Sequence, residues 1–340
     1  MSEFTPLLRA ALAGDALEAE AVREAIGAIV DGSWTPVQAG AFLVALAAKG
    51  ETAAEIVGAA RAMRERSLHV EHDLPLVLDT CGTGGDGAGT INVSSIVGFV
   101  VAGCKVPVAK HGNRAASSLC GSADVLEALG VAIDADPAAA RTRLERDGFT
   151  FLFAPRYHPA FKAVGPLRRE LGVRTLFNLL GPLCNPARAT HQIVGVAKES
   201  HLELVGDALI GLGAQAGAVV HAASGIDEIA GEGPTYVYQF SAQRAWRYVI
   251  DPSDFGIRAP LSAIAGGDSA LNAAAARAIL EGERSPRADV IALNAALALV
   301  VSERAGSFRE GLDLAHSSLQ DGAALAVLEA LRRPIKLEFA

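Results

Sequence analysis

The chain has 340 residues, of which 51% are apolar and only 5% aromatic, and its formal charge is −8. This length allows one large domain or two modest ones with a sizeable core, and the acidic balance argues against a nucleic-acid partner, which wants a basic face. No apolar run reaches the roughly 18 residues of a membrane span; the best candidate, VIALNAALALVV, is interrupted by Asn294.

The opening MSEFTPLLRAALAGD carries an early acidic residue and no basic region, so no secretory signal is expected. Residues 3 to 67 read as four helices. Asp15–Glu18 and Thr52–Glu55 have capping-box spacing, and Thr35–Pro36 puts proline at a first helical position. Gly14, Gly32 and Gly50 stand where helices should stop. From residue 75 the pattern changes to strands alternating with helices. LPLVLD, VPVAK, FTFLF, HQIVGVA, AGAVVHA, TYVYQF and AWRYVI are the strand candidates, the last two forming an antiparallel hairpin at an edge. SADVLEALG and DPAAARTRLERDG are helices between the early strands, and the last 70 or so residues read as helical cover. The stretch 158–186 breaks the alternation with short helical pieces and Pro-bounded turns. The expected fold is α/β: a small all-helical N-terminal domain, then a larger domain with a mainly parallel central sheet flanked by helices. Cys81, Cys104, Cys120 and Cys184 have no C-x-x-C spacing, so reduced structural thiols in a cytoplasm are expected.

The chemistry concentrates in residues 79–124. After the strand LPLVLD, five glycines (Gly82, Gly84, Gly85, Gly87, Gly89) crowd one loop, and Asn92 can cap the helix VSSIVGFVVAG that follows. Strand, glycine loop and helix is the arrangement that aims free N–H groups at a phosphate. A second polar loop after VPVA adds Lys110, His111, Asn113, Arg114, Ser117, Ser118 and Ser122. Gly82-x-Gly84-x-x-Gly87 also matches the dinucleotide fingerprint formally. That reading fails, because the helix starts only after Thr90 and no carboxylate lies between Ala102 and Lys110. Asp227 and Glu228 follow the strand AGAVVHA in a glycine-containing loop on the side where the phosphate loops open. A bare Asp-Glu pair is commonly solvated surface, but here it suits Mg²⁺, which takes one or two carboxylates plus phosphate oxygens.

The run GTGGDG…T-x-N-x-S followed by KHGNR…SS…GSAD resembles the anthranilate phosphoribosyltransferase family of tryptophan biosynthesis. The resemblance extends to HPAFK…R-x-E-L-G-x-R-T-x-F-N-x-L-G-P-L-x-N-P (158–186) and to G-I-D-E (225–228), covering nearly the whole chain. It implies transfer of the phosphoribosyl group of phosphoribosyl pyrophosphate (PRPP) to anthranilate with release of pyrophosphate. It also implies a homodimer through the helical domain, and a helical domain of residues 1–72 completed by about 164–188. The α/β domain then comprises 73–163 and 189–340. Carried over residue by residue, PRPP would meet Gly82, Gly85, Asp86, Thr90, Asn92, Val93, Ser94 and Ser95. It would also meet Lys110, His111, Gly112, Asn113, Arg114, Ala115, Ala116, Ser117, Ser118 and Ser122. Gly82, Asn113 and Arg168 would contact anthranilate, and Ser94, Asp227 and Glu228 would hold Mg²⁺. His158 and Lys162 read as structure.

The residue types offer no Ser-His-Asp set, reactive cysteine or paired catalytic carboxylates, so a covalent intermediate is not favoured and no general base is assigned. Small departures from the family pattern (Cys81, Ile91, Ser95, and Ala222-Ala223-Ser224 before the acidic pair) remove no needed group. Two rivals share the fold. A pyrimidine nucleoside phosphorylase would start its glycine loop with lysine-histidine-serine, where this chain has Asp79-Thr80-Cys81. A non-catalytic nucleic-acid-binding relative should be basic and lack the metal carboxylates.

Overall fold

The computed structural model describes residues 4–115 and 119–334. Four helices open the chain: α1 (Phe4–Ala13), α2 (Ala19–Val30), α3 (Pro36–Lys49) and α4 (Ala53–Arg64). Capping boxes start α3 at Thr35, with Gln38, and α4 at Thr52, with Glu55; each such cap is worth about 1 kcal/mol. The Asp15–Glu18 box does not form. Glu55 is fully buried and accepts the Leu17 N–H at 2.8 Å, which holds the chain before α2 in an extended path. Helix α2 therefore starts at Ala19, with Glu18 at the cap position and no side-chain cap. The other Glu55 oxygen accepts from the Thr52 N–H and from Lys49 Nζ at 2.8 Å, so one carboxylate ties three helices together.

The strands are β1 (Leu78–Gly82), β2 (Val108–Gly112), β3 (Phe149–Phe153), β4 (His191–Gly195), β5 (Ala216–Ala222), β6 (Thr235–Phe240) and β7 (Ala245–Ile250). They form one sheet of order β3-β2-β1-β4-β5-β6-β7. The first five are parallel and the last two antiparallel, as the alternation and the edge hairpin predict. Strand β1 begins at Leu78, later than LPLVLD suggests. Pro75 has no N–H for a ladder, and Val77 gives its own N–H to the Thr190 hydroxyl at 3.0 Å.

Helices α5 (Val93–Gly103), α6 (Ser122–Ala128) and α7 (Pro137–Asp147) fall between the early strands. After β3 come α8 (Ala154–Tyr157), α9 (Ala160–Leu171), a 3₁₀ turn (Leu176–Asn178) and α10 (Leu180–Leu183). Pro166 lies inside α9 and not at a turn. Lys162 and Ala163 are exposed there, so water can serve the carbonyl that the missing proline N–H releases. Helix α11 (His201–Gly211) precedes β5, and α12 (Ser269–Leu280), α13 (Pro286–Val301), α14 (Phe308–Gln320) and α15 (Ala323–Leu331) close the chain.

Alternation along the strands sends neighbours into different cores. Ile193 and Val220 join α5 and α12–α15 on one side, while Val194 and Val219 join α1–α4 and α11 on the other. Val164, Leu176, Leu180 and Leu183 from the 158–186 stretch are buried in that second core, so this stretch is packed against both the helices and the sheet. Among the described residues no helix is long and apolar enough to cross a membrane.

Candidate active site

The carboxyl ends of β1, β4 and β5 lie in sequence across the sheet, and the loops that leave them meet. Gly84, Gly85, Gly87 and Gly89 all have φ between 63° and 79°, which is why this loop is built of glycine. Gly82 and Gly195 are register partners at the ends of β1 and β4, and they matter for a different reason. A Cβ on Gly195 would stand 1.6 Å from the Asp227 carbonyl oxygen, and one on Gly82 would stand 2.5 Å from Asp227 Oδ2. The two glycines clear the strand ends so that residues 225–228 can fold across them. Asp227 Oδ2 then accepts the Gly84 N–H at 3.0 Å. Buried Asn294 fixes the far side of this loop, accepting the Ile229 N–H at 2.8 Å and donating to the Ile229 carbonyl at 2.9 Å.

Burial, and then the charge of Asp86, pushes Asp227 up to about 6. Burial and the adjoining Asp227 push Glu228 well above the ordinary carboxylate range, against the pull of Lys110 and the Ser94 amide. Lys110 is itself buried; it donates to the Thr80 carbonyl and to Ser94 Oγ at 3.2 Å, and burial lowers its pKa against the charge of Asp79. The structure thus gathers Gly82, Gly84, Ser94, Lys110, Asp227 and Glu228, with the Asp79 and Glu228 carboxylates both near the buried Lys110. Among the described residues no group of three or more His, Cys, Asp or Glu is arranged as a metal site. Two carboxylates and a hydroxyl suit a cation that completes its shell with phosphate oxygens and water.

Other residues singled out by sequence fall around this centre. Asp86 accepts the Ala88 N–H at 3.3 Å, and Thr90 pairs with Ala265 in an isolated bridge. Asn92 occupies the cap position of α5 but does not cap it. Its amide instead donates to the Cys120 carbonyl at 3.2 Å and accepts from buried Asn272 at 3.0 Å, joining the two polar loops to α12. Val93 and Ser95 are buried in α5, and the Ser95 hydroxyl has no partner among the described residues. Gly112 leaves room for Ser122, whose hydroxyl accepts the Asn113 N–H at 3.2 Å. The Arg114 guanidinium pairs with Asp124 at 2.9 Å and with Glu127, while the Ala115 N–H donates to Asp124 at 3.0 Å. Ala116, Ser117 and Ser118 lie outside the described residues.

His111 turns toward α10 and not toward the glycine loop. Its Nδ1 is 3.1 Å from the Gly181 carbonyl and its ring centroid is 4.9 Å from that of His158. Burial holds His111 down at about 3 and His158 at about 4, so both rings are neutral at neutral pH and neither supplies a cation. Arg168 on α9 lies over the Phe177 ring at 5.9 Å, with no ion pair among the described residues. Lys162, also on α9, is exposed.

Three contributors escaped the sequence reading. Asp79, buried on β1, accepts the His111 N–H at 3.2 Å and the Asn185 amide at 2.7 Å; burial pushes it up to about 6 against the Lys110 charge. Asn185 also donates to the Ala109 carbonyl at 2.7 Å, so it latches the end of the 158–186 stretch to both strands that carry the polar loops. Arg174 donates to the Gly84 carbonyl at 3.4 Å, and a Cβ on Gly85 would stand 2.1 Å from its Nη1. Their signal was weak, because Asp79 and Asn185 are 106 residues apart and only the fold joins them.

A family model described as "Glycosyl transferase family, a/b domain" matches residues 74–325, and its "helical bundle domain" companion matches 5–67. An anthranilate phosphoribosyltransferase of Roseiflexus castenholzii is 52% identical over 321 residues, covering 94% of each chain. The chain belongs to the anthranilate phosphoribosyltransferase family. The crystal structure of the family's Thermus thermophilus enzyme superposes with a TM-score of 0.90 at 43% identity, covering 96% of this chain and 98% of that one. The Saccharomyces cerevisiae member, in complex with PRPP and Mg, superposes with a TM-score of 0.88 at 28% identity, covering 96% of each chain. Membership of this family fits the site: the glycine loop, the buried lysine and the paired carboxylates stand together at the strand ends.

Proposed function

We propose that the protein transfers the phosphoribosyl group of PRPP to anthranilate, giving N-(5-phosphoribosyl)anthranilate and pyrophosphate, a step of tryptophan synthesis. The observation that carries this is the Asp227–Glu228 pair, folded over two glycines onto the N–H of Gly84 in a phosphate-type loop. Family relatives named for this activity, and the yeast relative bound to PRPP and Mg, support it. The acidic chain and the intact carboxylate pair speak against the nucleic-acid-binding reading.

Asp227, Glu228 and the Ser94 hydroxyl would hold Mg²⁺. The fit rests on two half-buried carboxylates, each with its charged form disfavoured by desolvation and by a neighbouring carboxylate. When bound, the ion would offset the charge of the pyrophosphate leaving group. The chain's own residues do the rest. Loop amides at Gly85 and Asp86, and the polar side chains at Thr90, Asn92, Ser95 and Ser122, would grip the pyrophosphate and ribose. Asn113 and Arg114 bring the second loop to it. Lys110, desolvated beneath Ser94, keeps a positive charge fixed under the site. Catalysis is then positioning and electrostatic stabilisation of an oxocarbenium-like state, with Gly82, Asn113 and Arg168 orienting anthranilate. No residue is assigned as general base.

Residues 1–72 with 164–188 form the helical domain in this reading, and 73–163 with 189–340 the phosphoribosyl-binding domain. Leu12, Val37 and Val44 on α1 and α3 are exposed apolar side chains, which supports a homodimer through that domain. A monomer mass by light scattering at micromolar concentration would count against it. Cys81, Cys104 and Cys184 are not joined in disulfides, in keeping with a cytoplasmic enzyme.

The experiment is a double substitution, Asp227→Asn with Glu228→Gln. Turnover should fall strongly and the Mg²⁺ requirement should rise with the fold intact. Unchanged turnover at equal Mg²⁺ would make the pair a surface feature and remove the main support of this reading.

A further inference from the structure

Away from the strand-end loops, a cavity of about 240 Å³ opens between the end of α4, residues 185–188 and the residue after α11. Its lining is cationic: Arg61, Arg64 and Arg188, with His69 beside them. None of the three arginines has a carboxylate within ion-pair distance among the described residues. Glu65 also lines the cavity, but its carboxylate is engaged by Arg23 at 3.0 Å and Arg66 at 3.7 Å. Arg64 gives Nε to the Leu183 carbonyl at 2.7 Å, and its Nη groups have no protein acceptor among the described residues. Arg61 uses one nitrogen on the Gly211 carbonyl at 3.0 Å. The Arg188 side chain has no partner among the described residues, and its backbone takes the left-handed φ of 48° that side chains rarely adopt. The wall behind it is rigid. The Arg188 N–H donates to the Asn185 carbonyl at 3.1 Å, and the Asn185 side chain is bonded to Asp79 and Ala109.

Three guanidinium groups around one small cavity repel one another unless an anion sits among them. Burial first, and then Arg188 and Arg61, disfavour the charge of Arg64. Guanidinium forks match tetrahedral oxyanions with parallel hydrogen bonds. The volume is roughly that of eight waters at about 30 Å³ each, enough for a compact anion with some hydration. We propose that this cavity is a second anion site, taking a phosphate-class oxyanion between Arg61, Arg64 and Arg188. An anion there joins α4 to the 183–188 segment, which Asn185 already ties to the strands of the catalytic loops.

Calorimetric titration of inorganic phosphate tests this, with PRPP and Mg²⁺ present to fill the catalytic site, anthranilate absent, and ionic strength matched with chloride. Wild-type protein should bind one phosphate per chain. The Arg61→Gln, Arg188→Gln double variant, whose changed residues are exposed, should bind it at least about tenfold more weakly, since two charge-assisted partners are gone. Should the double variant fail to fold, either single substitution should still weaken binding severalfold. No phosphate uptake by wild type beyond the chloride control overturns the proposal, as does equal binding by the folded variant. A second titration without PRPP keeps the two readings apart: phosphate that enters the strand-end loops is taken up equally by wild type and variant, and only the uptake lost in the variant reports this cavity.

Discussion

Gly82→Ala tests the placement of Asp227, the proposed metal carboxylate. Gly82 is outside the left-handed region, so alanine brings no backbone strain. Its Cβ would lie 2.5 Å from Asp227 Oδ2, where ordinary contact begins at 3.4 Å, so the carboxylate must retreat by about 1 Å. That movement breaks the 3.0 Å hydrogen bond from the Gly84 N–H to Asp227. A hydrogen bond to a charged group is worth about 1.5–3 kcal/mol, which is roughly tenfold to a hundredfold in an equilibrium or a rate. A misplacement of about 1 Å in a positioned group can by itself cost on the order of a hundredfold. We therefore expect kcat/KM for PRPP to fall by about ten- to a hundredfold and the Mg²⁺ concentration for half-maximal rate to rise. The assay is initial velocity against Mg²⁺ at fixed PRPP and anthranilate. Gly165→Ala serves as the control, because its Cβ meets nothing closer than Arg169 Nη1 at 3.6 Å. Wild-type velocity and Mg²⁺ dependence in Gly82→Ala would refute the account of Asp227.

Arg168→Ala should lower kcat/KM for anthranilate by roughly tenfold to a hundredfold and leave the KM for PRPP nearly unchanged. An aromatic amine lacking the ortho carboxylate should be a poor substrate for both proteins, and an equal loss with both amines would make Arg168 a support for α9. Asn185→Ala should destabilise the fold by about 1–3 kcal/mol, because it leaves buried Asp79 short of a donor; urea denaturation measures this, and no loss would deny the latch. His158 gives a pH signature. Its pKa is held down at about 4 from 6.5, so its stabilising effect is complete above 6.5 and is lost as pH falls toward 4. The stability of His158→Phe relative to wild type should therefore improve through that window, by at most about 1.4 kcal/mol per pH unit. A difference that does not vary with pH would contradict the buried, neutral ring.

Much of the scaffold was legible because local chemistry and tertiary packing agree there. FTFLF, AGAVVHA, TYVYQF and AWRYVI are bounded as read, since each is an apolar or alternating run with a glycine, proline or polar residue within two positions of either end. The capping boxes at Thr35 and Thr52 formed, but the one at Asp15 did not, because a buried Glu55 nearly 40 residues away claims the Leu17 N–H. Asn92 failed as a cap for a similar reason: Cys120 and Asn272 are its partners. At the site, the glycine loop and the Asp227–Glu228 pair were visible as residue types. That Gly82 and Gly195 exist to let Asp227 cross two strand ends was not, because a steric requirement between distant segments leaves no local pattern. The same holds for Arg174, which reaches Gly84 from the stretch that also carries Arg168; both are arginines in one motif, and only the path of the chain after α9 separates their surroundings.

The most direct measurement is transfer itself. Purified protein with PRPP, Mg²⁺ and anthranilate should extinguish anthranilate fluorescence while releasing pyrophosphate one for one, with neither change when Mg²⁺ is chelated. Persistent fluorescence, together with phosphorolysis of a pyrimidine nucleoside by the same sample, would contradict the account and place the protein with the nucleoside phosphorylases.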